Sequence, residues 1–198
     1  ILLSLVGSEM CIRDSWKAIN ESDMILKPDL SNSFVDPFFS HSTLVLFCDV
    51  MDPITKSFYE RDPRSTAKKA EEYLKKTKIG DKAYFGPEPE FFVFDDVKFS
   101  NDMNKTGFEI DSVEGPYNTG KKYDNGNMGH RPKIKGGYFP VPPVDGGQDL
   151  RSECLKAMRD MGVKVEKHHH EVAPSQHELG TLFNTLVCLL YTSDAADE

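Results

Sequence analysis

The chain has 198 residues, of which 38% are hydrophobic and 28% charged, and its formal net charge at pH 7 is -8. These values bound it to one or two ordinary globular domains. An acidic balance without a basic stripe or interleaved aromatics argues against nucleic acid as a partner, and no membrane partner is expected.

The first ten residues, ILLSLVGSEM, have the apolarity of a secretory signal but neither its basic start nor its small-residue cleavage site. Met10 to Ser15, MCIRDS, can be encoded by a DNA string whose reverse complement, in a shifted frame, reads as Cys188 to Thr192, CLLYT. The two ends therefore look like one inverted repeat translated from opposite strands, similar to the transposase-adaptor sequence of sequencing libraries. Residues 1–15 and 188–198 are accordingly expected to be artefact outside the fold. Setting them aside removes Cys11, Cys188 and four of the excess negative charges. Cys48 and Cys154 remain, too far apart for a metal motif or a disulfide framework, so a reducing, cytoplasmic setting is expected.

Within the body, LKPDLSNSFVDPFFS (26–40) is punctuated by Pro and Asp and reads as irregular, whereas STLVLFCDVM (42–51) reads as a buried strand. Asp62 can cap a helix, Pro63 suits its first position, and STAKKAEEYLKK should carry it to Gly80. That helix start is the candidate domain boundary. Residues 83–97 read as a strand, followed by a polar Gly- and Asn-rich stretch to Lys135 with a hairpin signal at DNGN, and then by an irregular KGGYFPVPPVD. A second helix, begun by Asp145 or Asp149 and stopped by Gly162, places Leu150, Cys154, Leu155, Met158 and Met161 on one stripe for core packing. VKVEKHHHEV (163–172) returns to strand, and ELGTLFNTLV (178–187) begins another strand or a helix. The expected class is α+β, with antiparallel pairing rather than a doubly wound sheet.

The chemistry concentrates in two stretches. In FGPEPEFF (85–92), a strand would project Glu88 and Glu90 from one face, among aromatics, close enough to repel. Pro87 and Pro89 cannot donate to a ladder, so the segment belongs at an edge or bends toward a cavity. The second stretch, EKHHHEVAPSQHE, holds Glu166, His168, His169, His170, Glu171, His177 and Glu178. A zinc-protease motif fails because Pro174 stands where its second histidine is required, and the remaining donors are mostly oxygens, which suits Mg2+ or Mn2+. Strict alternation would put Glu166 and Glu171 on opposite faces. If Glu88, Glu90, Glu171 and Glu178 converge, two divalent ions would balance them, an arrangement suited to phosphoryl transfer from a nucleotide. No GxxxxGK[ST] loop is present to hold the phosphates.

With WKAINESDM, DPRSTAKKAEEYL, FGPEPEFFVFDD, NMGHRPKIKGGYFPVPPVD, HHHEVAPSQHE and FNTLV in that order, residues 16 to 187 resemble the bacterial class I glutamine synthetases. The resemblance implies a remnant of a β-grasp domain at 16–61 and the first part of a catalytic domain with a curved antiparallel sheet at 62–187. It implies ATP-dependent joining of glutamate and ammonia through γ-glutamyl phosphate, with two divalent metals. Glu90, Glu171 and Glu178 would hold the metal on the glutamate and ammonia side, and Glu88 the metal at the ATP phosphates. Glu166 would contact the nucleotide and Phe183 the adenine pocket. A cytoplasmic homo-oligomer, a dodecamer with active sites between subunits, is also implied. The family's further substrate- and phosphate-binding segments fall outside the matched motifs, so the chain by itself is expected to be inactive. A γ-glutamyl-amine ligase acting on a polyamine, and a non-catalytic metal-binding homologue, stay open as alternatives.

Overall fold

The computed structural model describes residues 24–118, 120 and 131–189. Of the expected artefact at 1–15 and 188–198, residues 1–15 and 190–198 lie outside the described residues, as do residues 16–23 of the WKAINESDM motif and the DNGN hairpin signal, whereas Cys188 and Leu189 are described within the short helix Leu186–Leu189. Two compact units are present, one reaching Phe85 and resuming at Phe183, the other spanning Gly86–Leu182. Every described strand pair is antiparallel, in keeping with the α+β expectation.

In the first unit, β1 (Ile25–Val35) pairs with β2 (Leu44–Met51) from Ile25↔Met51 to Val35↔Leu44. The expectation that 26–40 is irregular is therefore corrected. Pro28, which cannot donate, starts a register irregularity that ends at Ser33, and the ladder resumes beyond it. Helix α1 (Pro63–Thr77) begins as expected: the Asp62 carboxylate accepts from the Ser65 amide at 2.9 Å, and proline occupies the first turn. It stops before Gly80, because Lys78 adopts the left-handed conformation (φ 59°) and its amide closes on the Lys75 carbonyl. Arg64 and Lys68 on α1 reach Asp49 of β2 at 3.0 and 2.7 Å, and Arg64 also bonds Asp29 of β1 at 3.1 Å. The two-residue β3 (Tyr84–Phe85) pairs with β9 (Asn184–Thr185), which leads into the short α3 (Leu186–Leu189); the Val187 amide there donates to Glu71 of α1.

The second unit contains β4 (Glu90–Phe92), the β5 (Asp96–Asp102) and β6 (Lys105–Asp111) hairpin, α2 (Gln148–Asp160), β7 (Val165–His170) and β8 (Gln176–Thr181). The single strand expected over 83–97 is three separate pieces, because Pro87 and Pro89 interrupt pairing between β3 and β4. A three-stranded sheet runs β4-β8-β7, and α2 packs against β7 and β8. Gly147, not Asp145 or Asp149, takes the cap position of α2, and Asp145 is committed to Arg151 instead. Gly162 (φ 94°) turns the chain out of the helix as expected. The apolar stripe of α2 is only half buried, while Arg151 on the same helix is 1% exposed. Among the described residues, no helix is long and apolar enough to cross a membrane.

Candidate metal centre

The register of the three-stranded sheet builds the site. Glu90 of β4 lies opposite Glu178 of β8, and Glu178 lies opposite His169 of β7, so these three side chains form one cross-strand row on one face. The next row, Phe91, His177 and His170, points to the other face, where the His177 ring contacts Phe91 at 5.5 Å and His170 at 5.4 Å between centroids. Glu171 follows β7 directly, and its amide bonds the Gln176 carbonyl at 2.8 Å, which closes the turn into β8. On the carboxylate face, the His169 Nε2 lies 3.1 Å from Glu178 and its Nδ1 3.4 Å from Glu171. One ligand atom from each of His169, Glu171 and Glu178 lies within 4.8 Å of the others. Glu90 is steadied by the Gln176 amide group at 2.7 Å.

The electrostatics place carboxylates that repel one another on this face. Burial raises the Glu178 pKa, and the Glu171 hydrogen bond and the charges of Glu171 and Glu88 push it further up against the opposing pull of His169. The Tyr138 hydroxyl is also raised, chiefly by Glu171, with Glu90 and Glu178 adding to the same negative field. Among the described residues, the ion pairs of Glu171 and Glu178 are with His169 alone. A donor set of carboxylate oxygens with one imidazole, partly buried and under-neutralised, fits a hard divalent cation such as Mg2+ or Mn2+.

Behind the sheet lies a buried polar network. Arg151 makes a bidentate pair with Asp145 and donates to Nδ1 of both His168 (3.1 Å) and His177 (2.9 Å). A guanidinium has no acceptor, so both rings must accept there and are neutral. Burial and the Arg151 charge lower both pKa values accordingly, the Arg151 effect on His177 being secondary to burial and opposed by Glu114. His170 is different: one nitrogen faces the Glu114 carboxylate at 2.8 Å and the other the Glu171 carbonyl at 2.6 Å. Burial is the largest single influence and opposes its protonation, but the Glu114 bond and charge, the Glu171 carbonyl bond and the Asp145 charge together outweigh it and the pKa is raised. Gly137 packs against the same turn, where any Cβ would collide with the Glu171 carbonyl and sit 2.9 Å from the His170 ring.

Glu171 and Glu178 are thus brought together with His169, whereas Glu90 stands opposite Glu178 in the same row but outside the group whose ligand atoms lie within 4.8 Å of one another. Glu88 lies in the exposed coil before β4, rather than on a strand beside Glu90, and its charge still acts on Glu178. Glu166 is exposed and is the extra residue of a bulge, with Val165 opposite Thr181 and Lys167 opposite Gly180. That bulge breaks strict alternation, so the parity that set Glu166 against Glu171 does not hold. Phe183 belongs to the other unit, where it is exposed and meets Tyr84 edge-on at 5.6 Å. His169 was among the clustered histidines but outside the expected ligand set. Glu114, Asp145 and Arg151 carried one legible signal, the charged Arg151 at helical spacing with Cys154, Leu155 and Met158 on the half-buried stripe.

Residues 60–194 match the sequence profile described as "Glutamine synthetase, catalytic domain", and residues 12–53 match "Glutamine synthetase, beta-Grasp domain". The chain is 62% identical over 172 residues to the glutamine synthetase of Rhizobium meliloti (strain 1021), covering 87% of this chain and 37% of that protein. It is 55% identical over 172 residues to the glutamine synthetase of Escherichia coli (strain K12), covering 86% of this chain and 37% of that protein. The cryo-electron-microscopy structure of Plasmodium falciparum glutamine synthetase superposes with a TM-score of 0.75 at 25% identity, over 94% of this chain and 36% of that one. The chain therefore spans little more than a third of the length of these relatives.

Proposed function

Because the chain belongs to the glutamine synthetase family, we propose that it carries the metal-binding part of a glutamate-ammonia ligase that forms glutamine through γ-glutamyl phosphate. The observation that carries this reading is the row of Glu90, Glu178 and His169 with Glu171 beside it, a carboxylate cluster that the described residues do not neutralise. Glu90, Glu171 and Glu178 hold one divalent ion, and Glu88, at the mouth of the same sheet, helps hold a second at the ATP phosphates. Bound Mg2+ or Mn2+ would neutralise phosphoryl oxygens and align the reacting groups. Glu166 contacts the nucleotide from its bulge and Phe183 lines the adenine pocket. Glutamate, ammonia and ATP are the substrates of the whole protein, a cytoplasmic homo-oligomer, taken here as a dodecamer with shared active sites. The domain division is kept at Asp62, two residues inside the catalytic-domain match that begins at residue 60 and beyond the β-grasp match that ends at residue 53. The polyamine-ligase and non-catalytic alternatives have no observation in their favour, since relatives at 55% to 62% identity are glutamine synthetases.

The test is a segment exchange. Residues 24–187 of this chain replace their counterpart in the Rhizobium meliloti enzyme, and ATP-dependent γ-glutamyl hydroxamate formation is measured. The chimera should be active and should lose activity on Glu90→Ala or Glu178→Ala. A folded, assembled chimera without activity, or one indifferent to both substitutions, would refute the proposal.

A further inference from the structure

Glu171 stands on the turn rather than on β7, so the separation between its carboxylate and that of Glu178 depends on the conformation of residues 171–175. That turn includes Ser175 at φ 66°, a left-handed conformation that a non-glycine residue adopts only when held there. Glu114, 4% exposed, is what grips it. One carboxylate oxygen accepts from His170 Nε2 at 2.8 Å and from the Ser175 amide at 2.7 Å, so both ends of the turn are tied to a single atom. The other oxygen accepts from the Gly146 amide at 2.7 Å, which anchors the grip to the segment leading into α2. Ser112 adds a second tie: its hydroxyl accepts from the Glu114 amide at 3.2 Å and bonds the Ser175 hydroxyl.

We propose that Glu114 is a positioning residue for the metal centre, clamping His170 and Ser175 so that Glu171 and Glu178 close on one cation. The inference rests on the metal reading above and adds to it a residue that touches neither the ion nor the substrates. A glutamine at this position must turn its amide nitrogen toward Gly146 or Ser175, and either choice leaves a backbone N–H facing a donor, fully buried at Ser175 and partly buried at Gly146.

The experiment is Mn2+ binding to the intact 198-residue chain, followed by electron paramagnetic resonance, which reads both the free ion and the ligand symmetry of the bound one. Glu114→Gln should weaken Mn2+ binding by roughly 10- to 100-fold, the usual effect of losing a partner in the outer shell of a metal site. It should also alter the bound spectrum, while the stoichiometry at saturation and the circular dichroism stay as in the wild type. Glu178→Gln, which removes a ligand, should reduce binding beyond recovery by excess Mn2+. Wild-type affinity and spectrum in Glu114→Gln, with binding lost in Glu178→Gln, would overturn the positioning role and leave the metal reading intact. No saturable binding by the wild-type chain would overturn both. If Glu114→Gln does not fold, Ser112→Ala, which loosens the same turn, is expected to weaken Mn2+ and shift its spectrum, and wild-type behaviour there would overturn the proposal.

Discussion

Asp49 in the first unit and Glu178 in the second are equally buried, each 7% exposed, yet their acidities move in opposite directions. Burial raises both; at Asp49 the hydrogen bonds from Lys68 and Arg64 more than reverse it, and its pKa is lowered. At Glu178 the nearest neighbours are Glu171 and His169, and the pKa stays raised. Burial alone therefore does not set the state of a carboxylate; the partner does. Asp49 forms a structural ion pair that ties β2 to α1, whereas Glu178 is the carboxylate proposed above as a cation ligand.

The largest effect is expected at Arg64, which pairs with both Asp49 and Asp29. Arg64→Ala leaves the buried Asp49 and the half-buried Asp29 beside fewer charges and should destabilise the chain by about 3–5 kcal/mol, read by urea denaturation. A loss below about 1 kcal/mol would mean that Lys68 alone neutralises Asp49. In the second unit the cation must be added: Mn2+ at about 100 times its dissociation constant should stabilise the folded chain by about 2.7 kcal/mol. That gain should vanish in Glu178→Gln, and its persistence there would place the ion elsewhere.

A smaller effect is expected from pH. The lowered pKa of Asp49 means that its contribution is fully present above the ordinary carboxylate value and is lost as pH falls through the lowered folded value. The stability difference between wild type and Asp49→Asn should therefore shrink on acidification, and a difference that grows would contradict the assignment. The smallest effect sharpens the helix that supplies Arg64 and Lys68: Asp62→Ala removes the cap on Ser65 and should lower stability by about 1 kcal/mol.

Local chemistry made much of this legible. Asp62 and Pro63 announced α1, Gly162 announced the end of α2, and the oxygen-rich spacing of Glu88, Glu90, Glu171 and Glu178 pointed to a hard cation. What the local pattern concealed was set by distant pairing. Pro28 reads as punctuation until β2 is available to pair on either side of the irregularity it begins. Glu166 seems to face away from Glu171 until the bulge is counted. His169 looks like any member of a histidine run, and only its register against Glu178 distinguishes it from His168 and His170. Glu114 sits in a loop with no motif around it, and its role depends on partners 56 and 61 residues away.

The most direct measurement is calorimetric titration of Mn2+ into the intact chain, compared across wild type, Glu178→Gln and Asp49→Asn. Saturable binding in the wild type, kept in Asp49→Asn and lost in Glu178→Gln, is the expected result. Binding that survives Glu178→Gln, or is absent from the wild type, would contradict the reading of the second unit as a site for an external cation.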